Sequence, residues 1–228
     1  MGYYSSMIFL LPTILFTFWA QAKVNGAYRR FSKVASRKGI TGAQAADAIL
    51  RANGLHIPIQ AIGGQLTDNY NPVQKTLNLS QGVYGSTSIA AIGIAAHECG
   101  HAVQDAEGYG PLKFRNNFVP VANIGSRLAW PILIIGLMFN SEMGDTLFTV
   151  GVLLFCLTIV FHLVTLPVEL NASKRALETI ESLGLVSGSD EYNGAKKVLS
   201  AAAMTYVAAL AMAVANLIRI FAMRNNRR

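Results

Sequence analysis

Residues 95–104 read AAHECGHAVQ, and three of them, His97, Glu98 and His101, could do chemistry together. An α-helix advances about 100° per residue, so His101 stands about 40° from His97 and Glu98 about 100° from it. The two imidazoles share one face, one turn apart, close enough to bind a single ion. Glu98 falls beside them, placed to meet a metal-bound water rather than the metal. This is the H-E-x-x-H arrangement of zinc-dependent peptide hydrolysis. Cys99 lies about 200° round the helix, on the opposite side, and reads as a small packing residue. The setting, IAAIGIAAHECGHAV, is apolar. Burying a glutamate there beside two histidines is costly unless the group has a task.

The class depends on a third ligand. A metzincin would carry glycine and histidine three and six residues after His101, but those positions are Gln104 and Glu107. A site-2-type intramembrane protease would bury the motif in a span and take an aspartate from a later one. Here the apolar run before His97 is short, and the later spans lack aspartate. There remains a glutamate on a later helix. Glu169, in LPVELNASKRAL (166–177), is the best candidate, because it stands where an apolar block re-enters water. Two spans separate it from His101, and an even number of crossings returns the chain to the same side. Glu178 and Glu181 lie farther from the membrane edge and read as solvated helix residues. The alternative for Glu169 is an interfacial acid at a helix N-terminus.

The elements that must position these residues follow from the distribution of charge. Only 14% of the 228 residues are charged, against about 25% in soluble domains. The apolar residues are bunched, and four blocks are long enough for the 20 or so residues that cross a bilayer as a helix. They run roughly from Tyr4 to Ala22, Phe118 to Phe139, Thr146 to Leu166 and Leu199 to Met223. The second is weakened by Arg127 and by Pro120 and Pro131, which would kink it. No basic residue precedes the first block, whereas Lys23, Arg29, Arg30, Lys33, Arg37 and Lys38 follow it. That order predicts an uncleaved anchor with its N-terminus outside. The expected organisation is an anchor (1–22), a cytoplasmic zincin-like domain (23–115), two transmembrane helices (116–167), a cytoplasmic helix with the third ligand (168–198), and a final membrane helix with a basic tail (199–228). Four crossings would leave Arg224, Arg227 and Arg228 outside, against the positive-inside rule. Either the last block stops short of crossing, or the tail is tolerated there. The net charge of +7 belongs to the flanks of the spans, and no nucleic-acid partner is expected. Two cysteines, one in the motif and one in an apolar run, make no disulfide framework.

Within the polar part, YRRFSKVASRKG (28–39) reads either as an amphipathic helix on an anionic membrane face or as a continuation of the first span. TGAQAADAILRANG (41–54) reads as a helix capped by Thr41 and ended by Gly54. HIPIQAIGG and KTLNLS alternate as short strands around a turn-like LTDNYNP (66–72). A helix over residues 87–105 carries the motif. A further helix is expected at 169–183, then a loop, GLVSGSDEYNGA.

Two stretches, residues 66–104 and LPVELNASKRAL, together resemble the YugP-type membrane-bound neutral zinc metallopeptidases, and the likeness runs over nearly the whole chain. That family is in turn similar to the HtpX and CAAX-prenyl type of gluzincin, whose third ligand is a glutamate in E-x-x-x-D. The resemblance implies one Zn²⁺ per chain on His97, His101 and Glu169, with Glu98 as general base. It also implies an active site on the cytoplasmic side of a bacterial cytoplasmic membrane. The chain departs from E-x-x-x-D at Ser173, so Asn171 or Ser173 is expected to replace the acid that orients a ligating histidine. Tyr206, Arg175 and His162 are candidate donors to the transition-state oxyanion. The fold class expected is an α-helical multi-pass membrane protein of about four spans with a small α+β zincin-like domain. The function expected is an integral-membrane endopeptidase acting on membrane or misfolded proteins, with the lipid bilayer as its other partner. A peptide substrate could add as a strand to an edge at residues 75–80. The competing readings are a catalytically silent zinc-binding membrane adaptor and a site-2-type intramembrane protease; an intact Glu98 argues against the first. Oligomeric state is left open.

Overall fold

The computed structural model describes residues 7, 8 and 10–225. The chain divides into two compact units, one of residues 21–112 and 167–204, the other of residues 1–20, 113–166 and 205–228.

The first unit holds the motif. Helix α1 (Leu11–Phe31) ends in it, followed by α2 (Gly42–Ala52), a three-stranded sheet and a short helix α3 (Gln81–Tyr84). Then comes α4 (Ile89–Ala106), which carries residues 97–101. Thr41 caps α2 through a full capping box with Gln44, and Gly54 takes the left-handed conformation after its end (φ 68°), where a side chain would be strained. Ser88 caps α4 by accepting from the Ala91 amide. The sheet comprises β1 (Ile59–Ile62), β2 (Asn69–Asn71) and β3 (Thr76–Ser80), in the order β1-β3-β2. β3 pairs parallel with β1, Ile59 opposite Leu77, and antiparallel with β2, Tyr70 opposite Leu77.

β3 is therefore the central strand, and the expected edge at 75–80 does not exist: both its sides are paired. Leu77 and Leu79, fully buried, explain why, since this strand carries the sheet's contribution to the core. The edge near α4 is β2, which lies in the stretch that composition reads as a turn. Asp68 ties it down by accepting from the Ser80 backbone amide (2.7 Å) and hydroxyl (3.1 Å).

Helices α6 (Glu142–Ser182) and α7 (Gly188–Asn225) contribute residues 167–182 and 188–204 to this unit. The expected loop at 184–195 is mostly helix: α7 begins eleven residues before the last apolar block, with Asp190 and Glu191 in its first turn. Of the two readings of residues 28–39, the continuing helix holds as far as Phe31. The chain then bridges to α4, with the Ile89 amide donating to the Val34 carbonyl at 2.9 Å. The core gathers Tyr28, Phe31, Ile49, Leu50, Leu77, Leu79, Ile92 and Ile180. Around α4 the contacts are made by small residues. A Cβ on Gly100 would lie 2.7 Å from the Ala172 carbonyl oxygen, and one on Gly93 would lie 3.4 Å from the Ala195 methyl. Glu191 is buried as a clasp, accepting from Ser36 Oγ (3.0 Å) and the amides of Arg37 and Ser187 (2.8 Å each).

The second unit is apolar. Among the described residues, three helices are long and apolar enough to cross a membrane: α5 (Gly110–Met138), α6 and α7. The first expected span, Tyr4–Ala22, includes residues outside those described; α1 continues it past Lys23. A small core of Ala129, Leu133, Phe148, Phe155 and Ile220 joins the helices, while Phe18, Met143 and Leu153 are 70%, 72% and 63% exposed. So much outward apolar surface suits a lipid solvent. Arg224, one of the basic residues at the chain's end, pairs with Asp145 (2.8 Å) and lies over the Phe148 ring (4.5 Å), so it is not an unbalanced cation.

Candidate metal centre

His97 and His101 project from one face of α4, and Glu169 meets them from α6. Glu169 Oε2 lies 3.2 Å from His97 Nε2 and 3.5 Å from His101 Nε2, and the three ligand atoms all fall within 4.8 Å of one another. Glu169 and His101 are buried (4% and 8% exposed). Gly100 makes the meeting possible, because only its missing side chain lets α4 approach Ala172, one turn beyond Glu169.

The other ring nitrogens decide what these atoms can do. Gln104 is fully buried, and its Nε2 donates to the Val168 carbonyl and to Asn171 Oδ1, each at 2.9 Å. Its Oε1 is therefore an acceptor, and His101 Nδ1, 3.0 Å away, must be the donor. That fixes the tautomer and leaves the Nε2 lone pair facing Glu169. Ser173 Oγ stands 3.1 Å from His97 Nδ1 and can accept from it in the same way. The Nε2 atoms of both rings converge with Glu169 Oε2, placed to share a proton or a cation. With a proton shared there, each partner favours the other's charged form. Burial pushes the Glu169 carboxyl up, yet hydrogen bonding to His101 and His97 holds it well below the usual range. Burial pushes His101 down, yet Glu169 and Glu98 raise it. Ligand atoms about 2.0–2.2 Å from a tetrahedral ion lie about 3.3–3.6 Å apart, which the two separations from Glu169 match. A hard ion wanting six or more oxygens would find one carboxylate.

Glu98, beside His97, accepts from the Tyr70 amide of β2 at 3.0 Å. The strand is held over α4 by Tyr70 Oη, which donates to Asp105 Oδ2 at 2.7 Å, and by Lys75, which donates to the same oxygen. Burial and Asp105 push the Tyr70 hydroxyl far up, so it stays a donor. Lys75 adopts a positive φ (52°) at the turn into β3, a strain its bond to Asp105 helps offset.

Ser173 touches His97 directly, whereas Asn171 reaches His101 only through Gln104. Arg175 is committed to Glu107 Oε2 (2.7 Å) and Asn171 Oδ1 (2.8 Å). His162 and Tyr206 fall in the apolar unit. Sequence reasoning passed over Gln104 and Tyr70. Gln104 lies one turn beyond His101 and could have been read as its partner; a backbone amide leaves no sequence signal. Cys99 is packing, fully buried against the Ala46 carbonyl.

The family model described as "Putative neutral zinc metallopeptidase" matches residues 6–225. A protein of Bacillus subtilis (strain 168), "Putative membrane protease YugP", is 44% identical over 217 residues, which cover 93% of this chain and 95% of that protein. No solved structure matches.

Proposed function

The chain belongs to the neutral zinc metallopeptidase family, and from that membership we propose that it is an integral-membrane endopeptidase acting on membrane or misfolded proteins from the cytoplasmic side. The observation that carries the reading is the convergence of two imidazoles, that of His101 fixed in its tautomer, on one buried carboxylate, with a second carboxylate beside them. His97, His101 and Glu169 would hold one Zn²⁺. When bound, the ion would acidify a water to a pKa of about 7 and polarise the scissile carbonyl.

The chain's own residues do the rest. Glu98 takes a proton from water and passes it to the leaving amine. The Tyr70 amide aims its carboxylate. Gln104 and Ser173 hold the imidazoles with their Nε2 atoms bare, the task an acid performs in E-x-x-x-D relatives. A substrate strand would add along β2 on the side away from β3, meeting the Tyr70 carbonyl there, since the Tyr70 amide is taken by Glu98. The basic residues that follow the first apolar block lie in the same unit as the site and favour the cytoplasmic face.

Metal content by mass spectrometry, on wild type and Glu169→Ala purified in detergent, tests the site. About one zinc per chain is expected in the wild type, largely lost in the variant. Zinc retained by the variant would place the third ligand elsewhere. Glu98→Gln should keep its zinc and lose about 10²-fold or more in peptide hydrolysis. Undiminished turnover would remove Glu98 from its role.

A further inference from the structure

A groove of about 710 Å³ opens between α1 and α7, within the range of small-molecule sites. Its cations come from both helices: Lys23 and Arg30 from α1, Lys196 and Lys197 from α7. Its floor is apolar, with Ala27 and Phe31, the latter 8% exposed and packed on Gly194. Among the described residues that line it, none is acidic. Lys23 directly follows the apolar block that ends at Ala22, and Lys197 stands two residues before the one that begins at Leu199. Each pair thus borders an apolar block of the sequence, and α7 is one of the helices long and apolar enough to cross a membrane.

We propose that this groove binds the headgroup of one anionic phospholipid per chain. Its phosphate would sit among the four cations and its glycerol backbone on the Ala27–Phe31 floor. Basic residues at a membrane edge ordinarily form a diffuse belt that attracts anionic lipid without holding any one molecule. A belt needs neither a concavity nor an apolar floor. Here cations about 170 residues apart in sequence converge on both. The absence of acid in the lining favours a phosphate over a zwitterionic headgroup, whose ammonium would find no partner. The site is distinct from the metal centre and does not depend on the peptidase reading.

Native mass spectrometry of the full chain in a neutral detergent, titrated with dioleoyl phosphatidylglycerol, tests this. Wild type should retain one lipid per chain, and dioleoyl phosphatidylcholine should not be retained. Lys196→Gln with Lys197→Gln should weaken retention about 10-fold or more. Lys33→Gln with Lys38→Gln removes the same charge outside the groove and should leave retention within twofold. Zinc content and melting temperature, read in parallel, show whether each variant is folded. Equal losses in the two double variants would mean a diffuse belt and overturn the proposal. So would equal retention of the two lipids, undiminished retention in the groove variant, or displacement by millimolar inorganic phosphate, which would mark a free-phosphate site.

Discussion

Gln104 decides which nitrogen of His101 is bare. Its amide spends both donors on α6, so its oxygen can only accept, and the ring must donate through Nδ1. Partners of this kind commonly contribute 10–100-fold to metal affinity. Gln104→Leu, which keeps the bulk and removes the lock, should weaken zinc binding by about that factor, read by competition with a chromophoric chelator. Ser173→Ala should cost less, about 10-fold, because the His97 ring is partly exposed and water can replace the hydroxyl. Unchanged affinity in both variants would mean the rings are held by packing alone. The two histidines and Glu98 were legible in sequence because helical period fixes their relation. Glu169 was legible through a parity of crossings and a resemblance. The roles of Gln104 and Tyr70 were not, because their partners stand 64 to 67 residues away for the one and 28 to 35 for the other.

At the scale of elements, the centre depends on how closely α4 approaches α6. A methyl on Gly100 would press on the Ala172 backbone, which cannot swing aside as a side chain would. Gly100→Ala should therefore destabilise the protein by about 1–3 kcal/mol. It should also reduce zinc content, since Glu169 would move with Ala172. Gly110→Ala, where an added methyl meets nothing within 4 Å, is the control and should do neither. A melting curve with parallel metal analysis distinguishes the two. Two elements were misread for physical reasons. β2 is short and made of Asn-Tyr-Asn, a turn composition; it is a strand because β3 offers a paired edge and Asp68 and Tyr70 tie it to neighbours. The start of α7 looks like a loop because Gly188, Ser189 and Asp190 favour turns, yet Asp190 and Glu191 suit a helix N-terminus. The helices capped by Thr41 and Ser88 were readable because their stop and start signals are local.

At the scale of the whole molecule, Glu191 fastens the segment after α1 to the start of α7. Burial pushes its carboxyl up, but bonds from Ser187, Arg37 and Ser36 outweigh this and hold it below the ordinary carboxylate range. A folded-state pKa lower than the unfolded value of about 4.3 adds stability that is complete above about pH 5 and fades as pH falls through the folded value. Glu191→Gln should lower the melting temperature by roughly 4–8 °C at neutral pH, corresponding to about 2 kcal/mol. The gap between wild type and variant should close in acid. A gap that persists once acid has protonated the carboxyl in the folded state would show that shape, not charge, is what matters there. The packing around α4 has a different consequence, for how the protein can be interrogated. Small residues meet where it packs, Gly100 against Ala172 and Gly93 against Ala195, with Ala96 and Ala176 in the same core. There is almost nothing there to subtract. An alanine scan would pass over Ala172, Ala176 and Ala195 in silence and register the seam only at its glycines, where alanine is an addition. Only a scan that enlarges residues would find the whole of it, and every harmful variant along it would be a gain of volume.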